Sequence, residues 1–164
     1  NYEQANLAIQ EKYSALREPV TLLHDGITYS WQNLTEKKYM NWVRVSRGQF
    51  NTDEYTSWGY PYMLQIEPTN TSNLECTLCP VGRKELGRKA KHMSLNEFKS
   101  IIDDTKDYLM FLVLWDWGEP FMNPEFPEMI RYASQYGIQT VTSTNAHFLN
   151  NDTYVENILS FVNN

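Results

Sequence analysis

The order of hydrophobic and polar positions changes near residue 58. Before it, the pattern predicts a helix over residues 2–17, a hairpin over 20–31 and a second helix over 34–43. Asp25-Gly26, between the two apolar arms of the hairpin, is typical of a type I′ turn. Residues 46–61 are rich in Gly, Asn, Asp, Ser and Pro, which indicates a linker. The first part of the chain is therefore expected to be a small helix–hairpin–helix segment.

After residue 58, strands alternate with helices. The pattern predicts strands over 62–67, 110–115 and 138–143 and helices over 94–107, 126–136 and 152–161. Ser94 and Glu97 form the sequence signature of a capping box at the start of the first of these helices. Residues 110–115 are almost continuously apolar, as in a parallel strand covered on both faces. The alternation predicts an α/β fold with about three right-handed parallel βα units.

Length and charge limit the classes of protein that fit. The chain has 164 residues and 14% aromatics, which suits folded domains, and we divide it into residues 1–57 and 58–164. A net charge of -6 argues against a nucleic-acid partner. No apolar run approaches the roughly 18 residues that span a membrane. Two cysteines two residues apart suit a reducing compartment, so we predict a cytoplasmic location.

A basic segment follows the cysteines, although the chain as a whole is acidic. Five of the 14 basic residues are Arg83, Lys84, Arg88, Lys89 and Lys91. They fit a solvated loop or a local positive field beside an anionic cofactor or substrate. We expect this segment on the side of the sheet where the strands end.

Both cysteines lie in one loop after the first predicted strand. Cys76 and Cys79 form a Cys-x-x-Cys pair, and Ser72 stands where a third thiol would complete C-x3-C-x2-C. A Cys-x-x-Cys pair fits half a zinc site, a redox pair or part of an iron–sulfur site. The thiols lie about ten residues beyond the strand and not at the start of a helix, which disfavours a thioredoxin-like pair. Zinc would need two further ligands, and neither His92 nor His147 has zinc-finger spacing.

Polar segments also follow the other two predicted strands. The second strand leads into Asp116-Trp117-Gly118-Glu119-Pro120, and the third leads into Thr144-Asn145-Ala146-His147. The carboxyl ends of parallel strands meet at one edge of a sheet, where ligands bind. The three segments are therefore expected to meet there.

With these segments in place, residues 61–164 resemble the radical S-adenosylmethionine enzymes. Ser72, Cys76 and Cys79 stand at the three positions that ligate a [4Fe-4S] cluster in that family. The GGEP-type motif that contacts the methionine amino group corresponds to Trp117, Gly118, Glu119 and Pro120. Thr144, Asn145 and Ala146 match a Thr-Asn-Gly segment common in the SPASM-type subgroup. Leu78 stands where the family often has an aromatic residue against the adenine.

The resemblance implies a partial (β/α) barrel and a radical reaction. The cofactors would be the cluster and S-adenosylmethionine, which together yield a 5′-deoxyadenosyl radical for modifying a substrate, a small molecule or a peptide. A reductant protein would serve the parent enzyme. The three βα units form only the N-terminal half of the family's barrel, so this chain is expected to be inactive alone.

The short length is the larger departure from the family pattern, and Ser72 is a second one. A serine hydroxyl is a much weaker iron ligand than a thiolate. Two alternatives therefore stay open: a catalytically inactive scaffold or binding module of the same fold, and a structural zinc-binding domain.

Overall fold

The computed structural model describes residues 2–14, 19–48 and 57–150, together with residues 152, 155 and 156. The chain divides into two compact units, described below from these residues alone. The first unit comprises Asn1–Tyr62 with Asp107–Leu109, and the second comprises Met63–Lys106 with Met110–Asn164.

The first unit contains two helices and a hairpin. Its elements are α1 (Tyr2–Ser14), β1 (Val20–His24), β2 (Ile27–Trp31), α2 (Glu36–Val43) and a π-helical turn over Arg44–Gly48. Strands β1 and β2 pair antiparallel, and Asp25 and Gly26 have φ angles of 49° and 75°. Positive φ at both central residues defines a type I′ turn, which confirms the prediction from Asp-Gly.

Residues 57–60 are packed, and the prediction of a linker is wrong for this part of the segment. Trp58 is 3% exposed. The Asn41 side chain accepts a hydrogen bond from Tyr60 N at 2.9 Å and donates one to Tyr60 O at 2.9 Å. The Tyr60 ring stacks on Tyr108 with centroids 4.2 Å apart. The polar composition indicated a linker. Contacts with Tyr108 and with the buried side chain of Asn41, both distant in sequence, hold these residues in place.

The second unit is built on a parallel sheet. Its elements are β3 (Met63–Gln65), α3 (Leu95–Thr105), β4 (Phe111–Val113), a 3-10 turn (Pro120–Met122), α4 (Phe126–Ser134) and β5 (Gln139–Val141). The strand order is β3-β4-β5, with both pairs parallel, which confirms the predicted parallel α/β arrangement. Leu64, Leu112 and Thr140 are in register, so the three strands end at the same level. Each strand is shorter than predicted because the flanking residues already belong to the connecting loops.

Strand β4 is the centre of the core. Phe111, Leu112, Val113 and Leu114 are each 3% exposed or less, as the continuous apolar run predicted. Further large core side chains come from α3 and α4, which pack on each other: Phe98, Ile102, Phe126, Met129 and Ile130. Burying each such side chain contributes roughly 1.5–3 kcal/mol. The predicted capping box of α3 is present, with Ser94 and Glu97 bonding each other reciprocally.

The predicted helix over 152–161 lies largely outside the described residues. Across the part of the chain that the structure describes, no helix combines the length and apolar character that crossing a membrane requires.

Candidate functional site

The loops after the three parallel strands line one cleft of about 310 Å³. Its walls include eight of the ten residues predicted for the site: Ser72, Cys76, Cys79, Trp117, Gly118, Glu119, Thr144 and Asn145. The other two residues do not line it. Leu78 is 92% exposed, and Pro120 is buried at the start of the 3-10 turn.

Glu119 joins the loop after β4 to the loop after β5. Its carboxylate accepts hydrogen bonds from Phe121 N at 3.2 Å, Thr144 Oγ1 at 2.7 Å and Asn145 N at 2.7 Å. Only 4% of the residue is exposed. A carboxylate offers about four acceptor positions, so three are used within the protein and one remains on Oε2. The sequence indicated a ligand-binding carboxylate, and in the fold this group also organises the site.

Gly118 allows the loop after β4 to approach the loop after β3. A Cβ atom on Gly118 would overlap the carbonyl oxygen of Thr69 and would lie 2.8 Å from that of Thr71. Glu119 N donates to Thr71 O at 2.8 Å in the same place. Backbone atoms cannot move away as a flexible side chain can, so this position requires glycine because of the close approach.

The two thiols lie on a tight turn. Cys79 N donates to Cys76 O at 3.2 Å, and both cysteines are free. Gly82 packs behind the turn, where a Cβ atom would lie 2.5 Å from both Cys76 N and Cys76 O. The Cys79 thiol is 3.9 Å from Trp117 O, which places it beside the loop after β4. The turn therefore brings both cysteines to the same cleft.

Ser72 lines the cleft, and its hydroxyl group accepts a hydrogen bond from Leu74 N at 3.2 Å. Serine side chains commonly bond to backbone groups two residues on in this way. The neighbouring Asn73 Oδ1 accepts from Asn145 Nδ2 at 2.8 Å and so joins the cysteine loop to the loop after β5. The loop keeps its place without a third thiol.

A carboxylate that sequence reasoning missed lies beside the cleft. Glu67 forms a two-point ion pair with Arg88, with distances of 2.6 Å and 3.0 Å, and also accepts from Trp117 N at 3.3 Å. Burial and the nearby Glu67 carboxylate raise the pKa of Asp116. Arg88 thus lies at the strand-end side, as predicted for the basic segment. The hint in the sequence was an acidic residue directly after an apolar strand.

Two buried amides hold the loops that surround the site. Asn123 is 1% exposed, donates to Pro68 O at 2.9 Å and to Met93 O at 2.8 Å, and accepts from Glu125 N at 2.9 Å. Asn70 binds the backbone of the basic segment through both atoms of its amide group. Their bonding partners lie 19 to 55 residues away, except Glu125, so no local pattern predicted these roles.

Two of the three predicted ligand positions carry side chains that suit an iron–sulfur cluster. Cys76 and Cys79 supply soft thiol ligands, whereas Ser72 offers a hydroxyl group. Among the described residues, no group of three or more His, Cys, Asp and Glu side chains could hold a metal ion. A zinc site would need such a group, so the zinc interpretation gains no support from these residues.

Curated proteins of known activity resemble part of this chain. Fe-coproporphyrin III synthase of Methanosarcina barkeri (strain Fusaro / DSM 804) is 31% identical over 84 residues, which cover 51% of this chain and 21% of that protein. PqqA peptide cyclase of Bradyrhizobium diazoefficiens is 28% identical over 95 residues, or 57% of this chain and 24% of that protein. The chain thus spans about a quarter or less of the length of these relatives. No protein-family model matches it.

The fold resembles a solved structure. The crystal structure of BtrN in complex with AdoMet and 2-DOIA matches with a TM-score of 0.55 at 16% identity, over 62% of this chain and 42% of that one. The two curated relatives are members of the radical S-adenosylmethionine superfamily, which supports the superfamily resemblance of this chain, and the likeness to BtrN supports the fold.

Proposed function

We propose that this chain is part of a radical S-adenosylmethionine enzyme whose cofactors bind in the cleft at the strand ends. Cys76 and Cys79 would ligate two irons of a [4Fe-4S] cluster, with Ser72 at the position of the third ligand. The observation that carries the proposal is the meeting of the cysteine turn with the Gly118-Glu119 and Thr144-Asn145 loops in one cleft. Each segment alone has an ordinary structural explanation, but their combination is specific.

The residues around the thiols suit the methionine part of S-adenosylmethionine. The free acceptor position on Glu119 Oε2 would receive its ammonium group, a charge-assisted hydrogen bond. Gly118 allows the close contact between the loops after β3 and β4 that forms one wall of the cleft, and Thr144 and Asn145 hold the Glu119 carboxylate in place. When bound, the cluster and S-adenosylmethionine supply one-electron chemistry that removes a hydrogen atom from a substrate.

A peptide is the substrate class that we favour. The motifs resemble the SPASM-type subgroup, and one relative is named PqqA peptide cyclase. We also propose that residues 58–164 are the N-terminal half of a (β/α) barrel, that residues 1–57 are an accessory segment, and that a cytoplasmic reductant protein serves the complete enzyme. The described βα units and the partial coverage of the relatives support this arrangement.

Anaerobic reconstitution with iron and sulfide tests the cluster site. We expect Ser72→Cys to bind several-fold more iron and sulfide per chain than the unaltered protein, because a third thiolate replaces a weak ligand. Ser100→Cys is the matched control, since it adds a third thiol on the exposed face of α3, outside the cleft. Equal iron content in Ser72→Cys and Ser100→Cys would refute the proposal.

A binding module of the same fold is the second candidate, and Ser72 is the observation that favours it. Its hydroxyl already bonds to Leu74 N within the loop. In that case reconstitution would leave the unaltered chain without a cluster, while Ser72→Cys would still gain one. The two candidates therefore differ in the cluster content of the unaltered protein.

A further inference from the structure

The second unit has another cavity, which shares no lining residue with the strand-end cleft. Its volume is about 600 Å³, and it lies between the segment after β3, the basic segment and α3. Met93 and Ile101 give it apolar walls, and Ser100 adds a hydroxyl group. This volume falls within the roughly 300–1,000 Å³ of small-ligand sites, which combine apolar walls with a few polar groups.

The backbone under the basic wall is fixed. Asn70 Nδ2 donates to Lys89 O at 2.8 Å, and Asn70 Oδ1 accepts from Lys91 N at 2.6 Å. The backbone N–H of Asn70 also donates to Lys91 O at 3.2 Å. Because Asn70 is only 9% exposed, these bonds are protected from water. Lys89 and Lys91 therefore extend from a preorganised segment.

The charges that line the cavity leave one cation in excess. Arg88 pairs with Glu67 at 2.6 Å, and Lys91 pairs with Glu97 at 2.7 Å. The hydrogen bond from Lys91, helped by those from Ser94, lowers the pKa of Glu97 to about 2, so this carboxylate stays charged. Lys89 has no carboxylate partner among the described residues. An acidic chain thus presents a local positive site.

We propose that this cavity binds a carboxylate attached to an apolar group. The carboxylate would pair with Lys89, and the apolar group would pack on Met93 and Ile101. An acidic residue beside an apolar one in a peptide has this chemistry, and so does a free branched-chain organic acid. The site is distinct from the cofactor cleft, so it does not depend on the function proposed for that cleft.

Amide NMR spectra of the isotopically labelled chain test this site. The probes are N-acetyl-Leu-Glu-Leu-amide, the same peptide with Gln in place of Glu, and free 4-methylpentanoate. We expect the Glu peptide to shift the amides of Met93, Ser100 and Ile101 and leave those of Cys76 and Gly118 unchanged. If 4-methylpentanoate also binds, a carboxylate on an apolar group is sufficient for binding. If only the Glu peptide binds, the ligand is a peptide.

Two lysine variants make the test specific. Lys89→Gln should weaken binding of the Glu peptide about fivefold, the upper range for an exposed ion pair. Lys84→Gln is the matched control, because Lys84 lies outside the cavity and pairs with Glu75. The proposal is wrong if the Gln peptide binds as well as the Glu peptide. It is also wrong if both variants weaken binding equally, or if neither carboxylate probe shifts the cavity amides.

Discussion

Ala146 holds a backbone conformation that favours glycine. Its φ angle is 62°, in the left-handed region, where a Cβ atom costs roughly 1–2 kcal/mol. The position corresponds to the glycine of the Thr-Asn-Gly segment. Its N–H donates to Thr144 Oγ1 at 3.1 Å and its carbonyl accepts from Leu149 N at 3.0 Å, so the turn is held on both sides.

Ala146→Gly should therefore stabilise the protein. Glycine relieves the strain in the folded state, but its greater conformational entropy in the unfolded chain offsets part of this effect. We expect the free energy of unfolding to rise by about 0.5–1 kcal/mol. Urea denaturation measures it. Ala90→Gly is the control, since Ala90 is exposed and is not among the positive-φ residues. It should lower stability slightly, and a loss of stability in both variants would contradict the strain at Ala146.

Lys38 is a buried cation in α2 and carries a pH-dependent cost. It is 4% exposed, and desolvation lowers its pKa from 10.5 to about 8, with Asp107 acting in the opposite direction. Below pH 8 the lysine is charged in both the folded and the unfolded state, so the desolvation cost is fully present. Between pH 8 and 10.5, Lys38 is protonated in the unfolded chain but increasingly neutral in the folded protein. The free energy of unfolding therefore rises with pH over this range.

Lys38→Met should stabilise the protein at pH 7 by about 2–4 kcal/mol, because burial lowers the pKa of this lysine from 10.5 to about 8. Since the cost disappears at high pH, the gain should vanish above pH 10.5. Urea denaturation of both proteins at the two pH values measures this. Lys37→Met serves as the control because the Lys37 side chain is 67% exposed. A gain for Lys38→Met that does not change with pH would refute the explanation.

At the scale of the elements, Glu119 connects the ends of β4 and β5. Both of its oxygens accept backbone N–H groups, from Phe121 and from Asn145. In Glu119→Gln, an NH₂ group replaces one of the two oxygens. Whichever way the amide is oriented, one of these backbone N–H groups then faces a donor and loses its acceptor. A buried donor without an acceptor costs about 1–3 kcal/mol, so we expect a loss of stability of this size.

Glu125→Gln is the matched control for that variant. Its carboxylate accepts one backbone N–H, from Leu95 at 3.0 Å, and this bond is exposed. We expect a loss below about 1 kcal/mol, because water can replace the bond. Equal losses in urea denaturation would mean that the Glu119 carboxylate does not hold the two strand ends together.

At the scale of the whole molecule, the apolar pattern predicted the sheet, and the strand ends predicted which residues meet in the candidate cleft. Strand β4 was evident because its run of apolar residues has no polar break, and the cleft residues lie in the loops that follow the strands. The long-range polar contacts were not evident. Arg88 binds Glu67 across 21 residues, and Asn123 binds Pro68 across 55. A polar residue shows its need for a partner in the sequence, but not the identity of that partner.

We propose the strand-end cleft as the cluster site of a radical S-adenosylmethionine enzyme. The most direct test is the Mössbauer spectrum of Ser72→Cys reconstituted with isotopically enriched iron. Three thiolates can ligate three irons of a four-iron cluster, which leaves the fourth open. We predict three similar irons and one distinct iron, whose signal changes on addition of S-adenosylmethionine. A spectrum of mononuclear iron alone, or of four equivalent irons whose signal does not change on addition of S-adenosylmethionine, would refute a cluster site in this cleft.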